Sequence, residues 1–305
     1  MSAEIDTTDT SAPEGGTNGP EAAGGGFKPN TVSGTLIVAV GLCLICSLLV
    51  SSGAVLLRPQ IEANKRLNMQ RNVLVAAGLF DEAVDKDAQI PAMFENVETV
   101  LVNLPGRTGD GALNVDDENA GELNHDLNLA TYDPRKAAKD PKESVAIPAN
   151  LDEAGIKRRE KVTTAYVVKG EDGSIAQIVL PIYGKGLWST LYGFLALKAD
   201  DPKDMPVTGI TFYEHAETPG LGGEVDNPKW KAQWPGKEIL NSSGKPDLEV
   251  TKPGQANAEN EVDGMSGATI TSNGVEGLIN YWLGSDGFGP FLEHYRKGDL
   301  ELTAQ

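Results

Sequence analysis

Residues 164–183 read TAYVVKGEDGSIAQIVLPIY, and this stretch decides the fold. Two runs rich in β-branched and aromatic residues, Thr164 to Lys169 and Ser174 to Tyr183, flank Gly170-Glu171-Asp172-Gly173. Apolar residues alternate through Tyr166, Val168, Ile175 and Ile178, the pattern of paired strands joined by a glycine-containing turn. Working outward, Thr99 to Leu104, Leu191 to Lys198 and Val207 to Tyr213 read as further strands, and Asn273 to Leu283 (NGVEGLINYWL) as a helix. Residues 105–160, rich in Asp, Asn, Gly, Ala and Pro, read as loops with short helices. Strands and helices follow one another without a βαβ rhythm. The expected fold class is therefore α+β, with a largely antiparallel sheet flanked by helices.

Residues 1–30 hold Ser, Thr, Gly, Pro and acids and little to bury, so they read as a disordered tail. Thr31 to Leu57 is uncharged and mostly apolar. As a helix it spans about 40 Å, against about 30 Å for a bilayer core. A cleaved signal peptide would have a shorter apolar region and a basic start, so a single transmembrane helix is expected. Arg58 to Phe80 reads as its helical continuation, with Gly78 as a stop. The expected organisation is a tail (1–30), a membrane helix (31–57), a juxtamembrane helix with the first part of a soluble domain (58–160), a ligand-binding part (161–298) and a short C-terminal tail (299–305).

The formal net charge is -18. Acidity of that size argues against nucleic acid as a partner, because phosphate binding needs clustered Lys and Arg, and against a chain that lies on an anionic lipid surface; plain solubility accounts for it. The two cysteines, Cys43 and Cys46, form a C-x-x-C inside the apolar run, with no further Cys or His to complete a metal site, and read as small residues of a membrane helix. His125, His215 and His294 have no metal-ligand spacing.

Three segments can carry chemistry. Asp263 to Asn273, DGMSGATITSN, packs hydroxyls among small residues before the expected helix. Asn273 with Glu276 imitates a capping box, and a helix N-terminus with free N–H groups attracts phosphate. An ordinary Ser/Thr-rich turn has the same composition. Glu214 to Asn227, EHAETPGLGGEVDN, is glycine-rich but has neither the Rossmann nor the P-loop spacing. In Tyr183 to Tyr192, YGKGLWSTLY, Trp188 reads either as a stacking platform or as core.

Together these segments resemble the FMN-binding domain family, found in the C subunit of the sodium-translocating NADH:quinone reductase and in the G subunit of Rnf complexes. Asp263-Gly264-Met265-Ser266-Gly267-Ala268-Thr269 resembles the flavinylation motif, Glu217-Thr218-Pro219-Gly220-Leu221-Gly222 a flavin-contacting loop, and Gly186-Leu187-Trp188-Ser189 a second contact segment. Arg58-Pro59 with Glu62 to Lys65 resembles the stretch after the family's membrane helix, Gly223 to Trp230 and Gly287 to Leu292 are similar to the C subunit rather than the Rnf subunit, and the resemblance covers residues 31 to 298.

The resemblance implies FMN joined to Thr269 by a phosphoester bond. It also implies cofactor contacts from Asp263, Ser266, Gly267, Ala268, Thr271, Glu217, Thr218, Leu221, Gly222, Leu187, Trp188 and Ser189, with Lys252 near the phosphate. It implies other subunits of a membrane complex as partners, a flavin transferase that uses FAD and Mg²⁺, and an electron-transfer role without an NADH site. It places the soluble domain in the periplasm. The positive-inside rule points the other way, since Arg58, Lys65, Arg66 and Arg71 follow the span and Lys28 alone precedes it; that rule weakens for large translocated domains. An Rnf-type G subunit is the alternative with the same cofactor, and a membrane-tethered binding protein with no redox role is the alternative of a different class.

Overall fold

The structure is a computed structural model that describes residues 31–108, 111–114, 116–300 and 302. The expected tail at 1–30 lies outside the described residues. The chain divides after Ile61 into two units. Helix α1 runs Val32–Ala76 with Pro59 inside it. In the first unit its apolar side chains, among them Leu36, Ile45, Leu48, Leu49 and Leu56, are exposed. The stretch of this helix up to Leu57 is uncharged, and its outward apolar surface is suited to lipid.

The second unit is built on a five-stranded antiparallel sheet. Its strands are β1 (Val97–Asn103), β4 (Val162–Lys169), β5 (Ile175–Lys185), β6 (Thr190–Lys198) and β7 (Val207–Glu214), and they lie side by side in that order. Strand neighbours in sequence are neighbours in space from β4 to β7, because each connection is a short hairpin or loop. The β4–β5 turn closes as expected. Gly170 C=O accepts from Gly173 N–H (3.0 Å), Ser174 donates through N–H and hydroxyl to the Asp172 carboxylate, and Gly173 sits at φ 81°. Two short pairs lie outside the sheet: β2 (Ser144–Ala146) with β3 (Arg158–Glu160), antiparallel, and β8 (Glu249–Thr251) with β9 (Glu261–Asp263), parallel.

The sheet is covered on both faces. Ala165, Val167, Ile178, Leu180 and Leu195 point into the main core with α5 (Thr269–Leu283) and α6 (Gly289–Lys297). Tyr166, Val168, Val179 and Phe194 point to the other side, against Val73, Leu74, Ala76 and Phe80 at the end of α1. The alternation read in the hairpin is therefore apolar to both sides rather than apolar to polar. Three short helices complete the unit: α2 (Ile90–Met93), α3 (Pro134–Ala137) and α4 (Pro228–Lys231). At the C-terminal end, Leu300 and Leu302 pack on the main core.

One sequence expectation is corrected. The helix read from Asn273 begins at Thr269, so Asn273 lies inside it and no Asn273–Glu276 capping box forms. Glu276 instead accepts a hydrogen bond from Val250 N–H (2.7 Å), tying the helix to β8. Burial of Val275, Leu278, Ile279 and Trp282 on one face outweighs the weak helix preference of Thr and Ser in the first turn.

Candidate functional site

The three flagged segments come from different parts of the fold. The first, residues 186–189, is the turn between β5 and β6. The second, 217–222, follows β7. The third, 263–271, runs from β9 into α5. One side chain joins them. The Glu217 carboxylate is 5% exposed and accepts from Trp188 N–H (2.9 Å), Ser189 N–H (3.0 Å), Leu187 N–H (3.3 Å), the Ser189 hydroxyl (3.2 Å) and the Thr271 hydroxyl (2.8 Å). Burial pushes this carboxyl up. The hydrogen bonds from Trp188, Thr271 and Ser189 to the charged form outweigh it, and the net shift is below the ordinary value.

Glycines make room for the carboxylate. A Cβ on Gly186 would sit 2.6 Å from Glu217 Oε1, and one on Gly222 would sit 2.6 Å from both Glu217 Oε2 and Thr271 Oγ1. Gly267 has φ 74°, and a Cβ there would meet Leu221 Cδ2 at 3.0 Å, so the motif's turn also lies against the second segment.

The motif is held from two sides. Gly264 N–H donates to Thr251 C=O (2.9 Å) and Met265 N–H to the Ser272 hydroxyl oxygen (2.9 Å). Of its four hydroxyls, Thr271 and Ser272 are thus buried and engaged, while Ser266 and Thr269 are exposed. Thr269 is the first residue of α5, Ala268 at the N-cap gives no side-chain cap, and the first i→i−4 bond runs from Ser272 N–H to Ala268 C=O. The N–H groups of Thr269, Ile270 and Thr271 precede that bond, and a helix N-terminus without a side-chain cap is the kind of end that attracts a phosphate.

The three segments also carry large exposed apolar side chains. Trp188 is 68% exposed, Ile270 58%, and Leu187 and Leu221 44% each. Beyond α1 the other large exposed apolar side chains among the described residues are Leu79, Val84, Leu129 and Leu151. Four of these eight therefore lie on the three segments that Glu217 joins, and Trp188 is a surface side chain rather than core. The arrangement can hold a flat aromatic group beside a phosphate.

Other sequence-flagged residues take supporting places. The Asp263 carboxylate accepts from Gln255 and Ala256 N–H (2.8 and 2.9 Å), which turns it onto the loop after β8. Lys252 is exposed in that loop, next to Thr251, which binds Gly264. Thr218 is exposed, and its C=O accepts from Leu221 and Gly223 N–H. His215 pairs with Asp226 (2.7 Å) and accepts from Glu217 N–H, a loop-fixing role. Two contributors were missed by sequence reading. Ile270 looks like an ordinary helix residue until the helix start is known. Lys185, whose Nζ donates to Trp188 C=O (3.1 Å), carries no local signal beyond its glycine neighbours.

The FMN-binding domain family matches residues 186–284, which contain all three segments. The C subunit of the Na(+)-translocating NADH-quinone reductase of Pseudomonas aeruginosa is 45% identical over 269 residues, covering 87% of this chain and 96% of the relative. Its counterpart from Pasteurella multocida is 43% identical, covering 89% and 97%. Among solved structures, NqrC of Shewanella oneidensis superposes with a TM-score of 0.66 at 32% identity, covering 77% of this chain and 99% of that one. With a relative of this identity aligned over nearly its whole length, the chain belongs to the NqrC family, the C subunits of the Na(+)-translocating NADH-quinone reductases.

Proposed function

We propose that this chain is the FMN-carrying electron-transfer subunit of a membrane sodium-translocating NADH:quinone reductase, with FMN attached covalently to the Thr269 hydroxyl. The observation that carries this reading is the placement of Thr269. It is an exposed hydroxyl at an uncapped helix N-terminus, on one of the three segments joined through Glu217, which also carry the exposed Trp188, Leu187, Leu221 and Ile270. These residues fit the group. The first-turn N–H groups and Lys252 would hold the phosphate, and the exposed apolar side chains of these segments with the Leu221–Gly222 backbone would hold the isoalloxazine. When bound, FMN supplies a group that takes up and hands on electrons, and the protein supplies position and electrostatics. A phosphoester tether keeps the cofactor through turnover. Thr269 is an attachment point rather than a turnover nucleophile, and a flavin transferase with FAD and Mg²⁺ makes the bond.

The partners in this reading are the other subunits of the complex, which supply the NADH, quinone and sodium sites. Helix α1 anchors the chain in the inner membrane, with the second unit on the periplasmic side. Intact mass of the chain co-expressed with a flavin transferase tests the attachment. The expected result is an added FMN mass after denaturation, absent from Thr269→Ala. A parent chain without added mass, in the presence of a competent transferase, rejects covalent carriage and leaves reversible ligand binding as the activity to pursue.

A further inference from the structure

Glu217 belongs to the loop that family resemblance assigns to flavin contact, yet its surroundings point elsewhere. Both carboxylate oxygens are taken up by donors of this chain. Oε1 accepts from Trp188 N–H and from Ser189 through N–H and hydroxyl, and Oε2 accepts from Leu187 N–H and the Thr271 hydroxyl. The residue is 5% exposed, walled in by Gly186 and Gly222. A side chain so engaged has no oxygen to offer a ligand.

We infer that Glu217 is a positioning residue for the modification of Thr269, acting through Thr271; this rests on the reading of Thr269 as the FMN attachment point. Thr271 lies two residues along the same helical turn, and its bond to Glu217 fixes that turn against the Trp188 segment. In the reaction served, the Thr269 Oγ–P bond forms, the pyrophosphate bond of FAD breaks, AMP leaves, and the hydroxyl proton passes to the transferase or solvent, with no change of oxidation state. Glu217 neither gives nor takes a proton. It holds the acceptor hydroxyl where the transferase meets it, and it keeps the neighbouring Thr271 hydroxyl occupied. Misplacing a reacting group by about 1 Å costs up to about a hundredfold in rate, so the effect belongs in the transfer step rather than in recognition of the chain.

The shape of the pocket separates position from charge. Gln at 217 keeps an oxygen for the Trp188 and Ser189 N–H groups and turns its NH₂ to Thr271 Oγ1, which can accept; only the long Leu187 contact is lost. Asp keeps the charge but is one methylene short.

The test uses the full-length chain in detergent with purified flavin transferase, FAD and Mg²⁺, following FMN incorporation by intact mass and its position by peptide mapping. For Glu217→Ala, kcat of transfer falls about tenfold or more while KM for the chain stays within about twofold. Glu217→Asp behaves like Ala, and Glu217→Gln stays within about threefold of the parent. Near-UV circular dichroism reports folding. If Glu217→Ala does not fold, Thr271→Val decides, because it removes one hydroxyl and leaves the 187–189 anchor intact: a lowered kcat with unchanged KM supports the inference, and a parental rate overturns it. A folded Glu217→Ala at the parental rate overturns it too. So does rescue by Asp with failure of Gln, which makes charge the cause. A parent chain that gains no FMN rejects the attachment reading and this inference with it, whereas a modified parent with indifferent variants rejects the inference alone.

Discussion

Two buried glutamates show how the same side chain takes opposite roles. Glu217 is met by five donors and its carboxyl is held below the ordinary value. Glu160 is equally hidden, at 2% exposed. Burial pushes its carboxyl up, and the Tyr183 hydroxyl (2.6 Å), Thr163 and the charge of Arg159 only partly offset that. The linkage signs are therefore opposite. The lowered Glu217 stabilises the fold above the unfolded-state pKa of about 4.3, and that contribution is lost as pH falls through its folded value. The raised Glu160 costs stability as pH rises above about 4.3, because the folded state holds a proton that the unfolded state releases. Urea titrations followed by tryptophan fluorescence at several pH values should show two trends. Glu217→Gln should fall below the parent near neutral pH, with the difference closing in acid. Glu160→Gln should match the parent in acid and gain on it as pH rises. Parallel curves for both variants would refute these assignments.

At the scale of the element, α5 matters most, because it is seated on β5, the turn that follows, the Glu153 loop and β8. A Cβ on Gly274 would lie 2.4 Å from Lys185 C=O, and one on Gly277 would lie 2.4 Å from Glu153 C=O. Gly184 of β5 approaches the Leu278 side chain as closely, and Trp282 Nε1 donates to Tyr183 C=O (2.7 Å). The helix N-terminus, and with it Thr269, is thereby placed against the 186–189 turn. Two effects compete on substitution. Gly→Ala within a helix gains about 1 kcal/mol of intrinsic preference, while forcing a methyl into a closed contact costs about 1–3 kcal/mol. The obstacle is backbone and cannot rotate away, so the contact wins. Gly274→Ala should lower the urea midpoint of the domain, whereas stabilisation by that change would show that α5 has freedom to lift from the sheet.

At the scale of the whole molecule, an apolar helix precedes a water-compatible unit with a core on each face of its sheet. The only cysteines, Cys43 and Cys46, lie on the apolar helix. A single cysteine introduced at the exposed Glu171 turn of a cysteine-free variant should react with an impermeant thiol reagent in intact cells if the second unit is periplasmic. Protection there, with labelling after lysis, would put that unit in the cytoplasm and vindicate the basic residues after the span as the topology signal.

What the sequence by itself determined are the features with local physical causes. Residues 31–57 are apolar enough to span a bilayer, the Gly170–Gly173 turn closes a hairpin, and the runs at 99–104, 191–198 and 207–213 have the strand composition that the sheet uses. The segments 186–189, 217–222 and 263–271 were also legible, but only as separate strings that resembled a known family. Their meeting around Glu217 was not, because the bonds that join them link residues 28 to 54 positions apart, beyond any local pattern. The start of α5 was misjudged for the same reason: Thr-Ile-Thr-Ser has weak helix preference, and burial against the sheet settled the matter. Tertiary structure alone decided that Thr271 and Ser272 are engaged inside while Thr269 faces out. Which of several like hydroxyls is available is a question of burial and partners, and those come from distant parts of the chain.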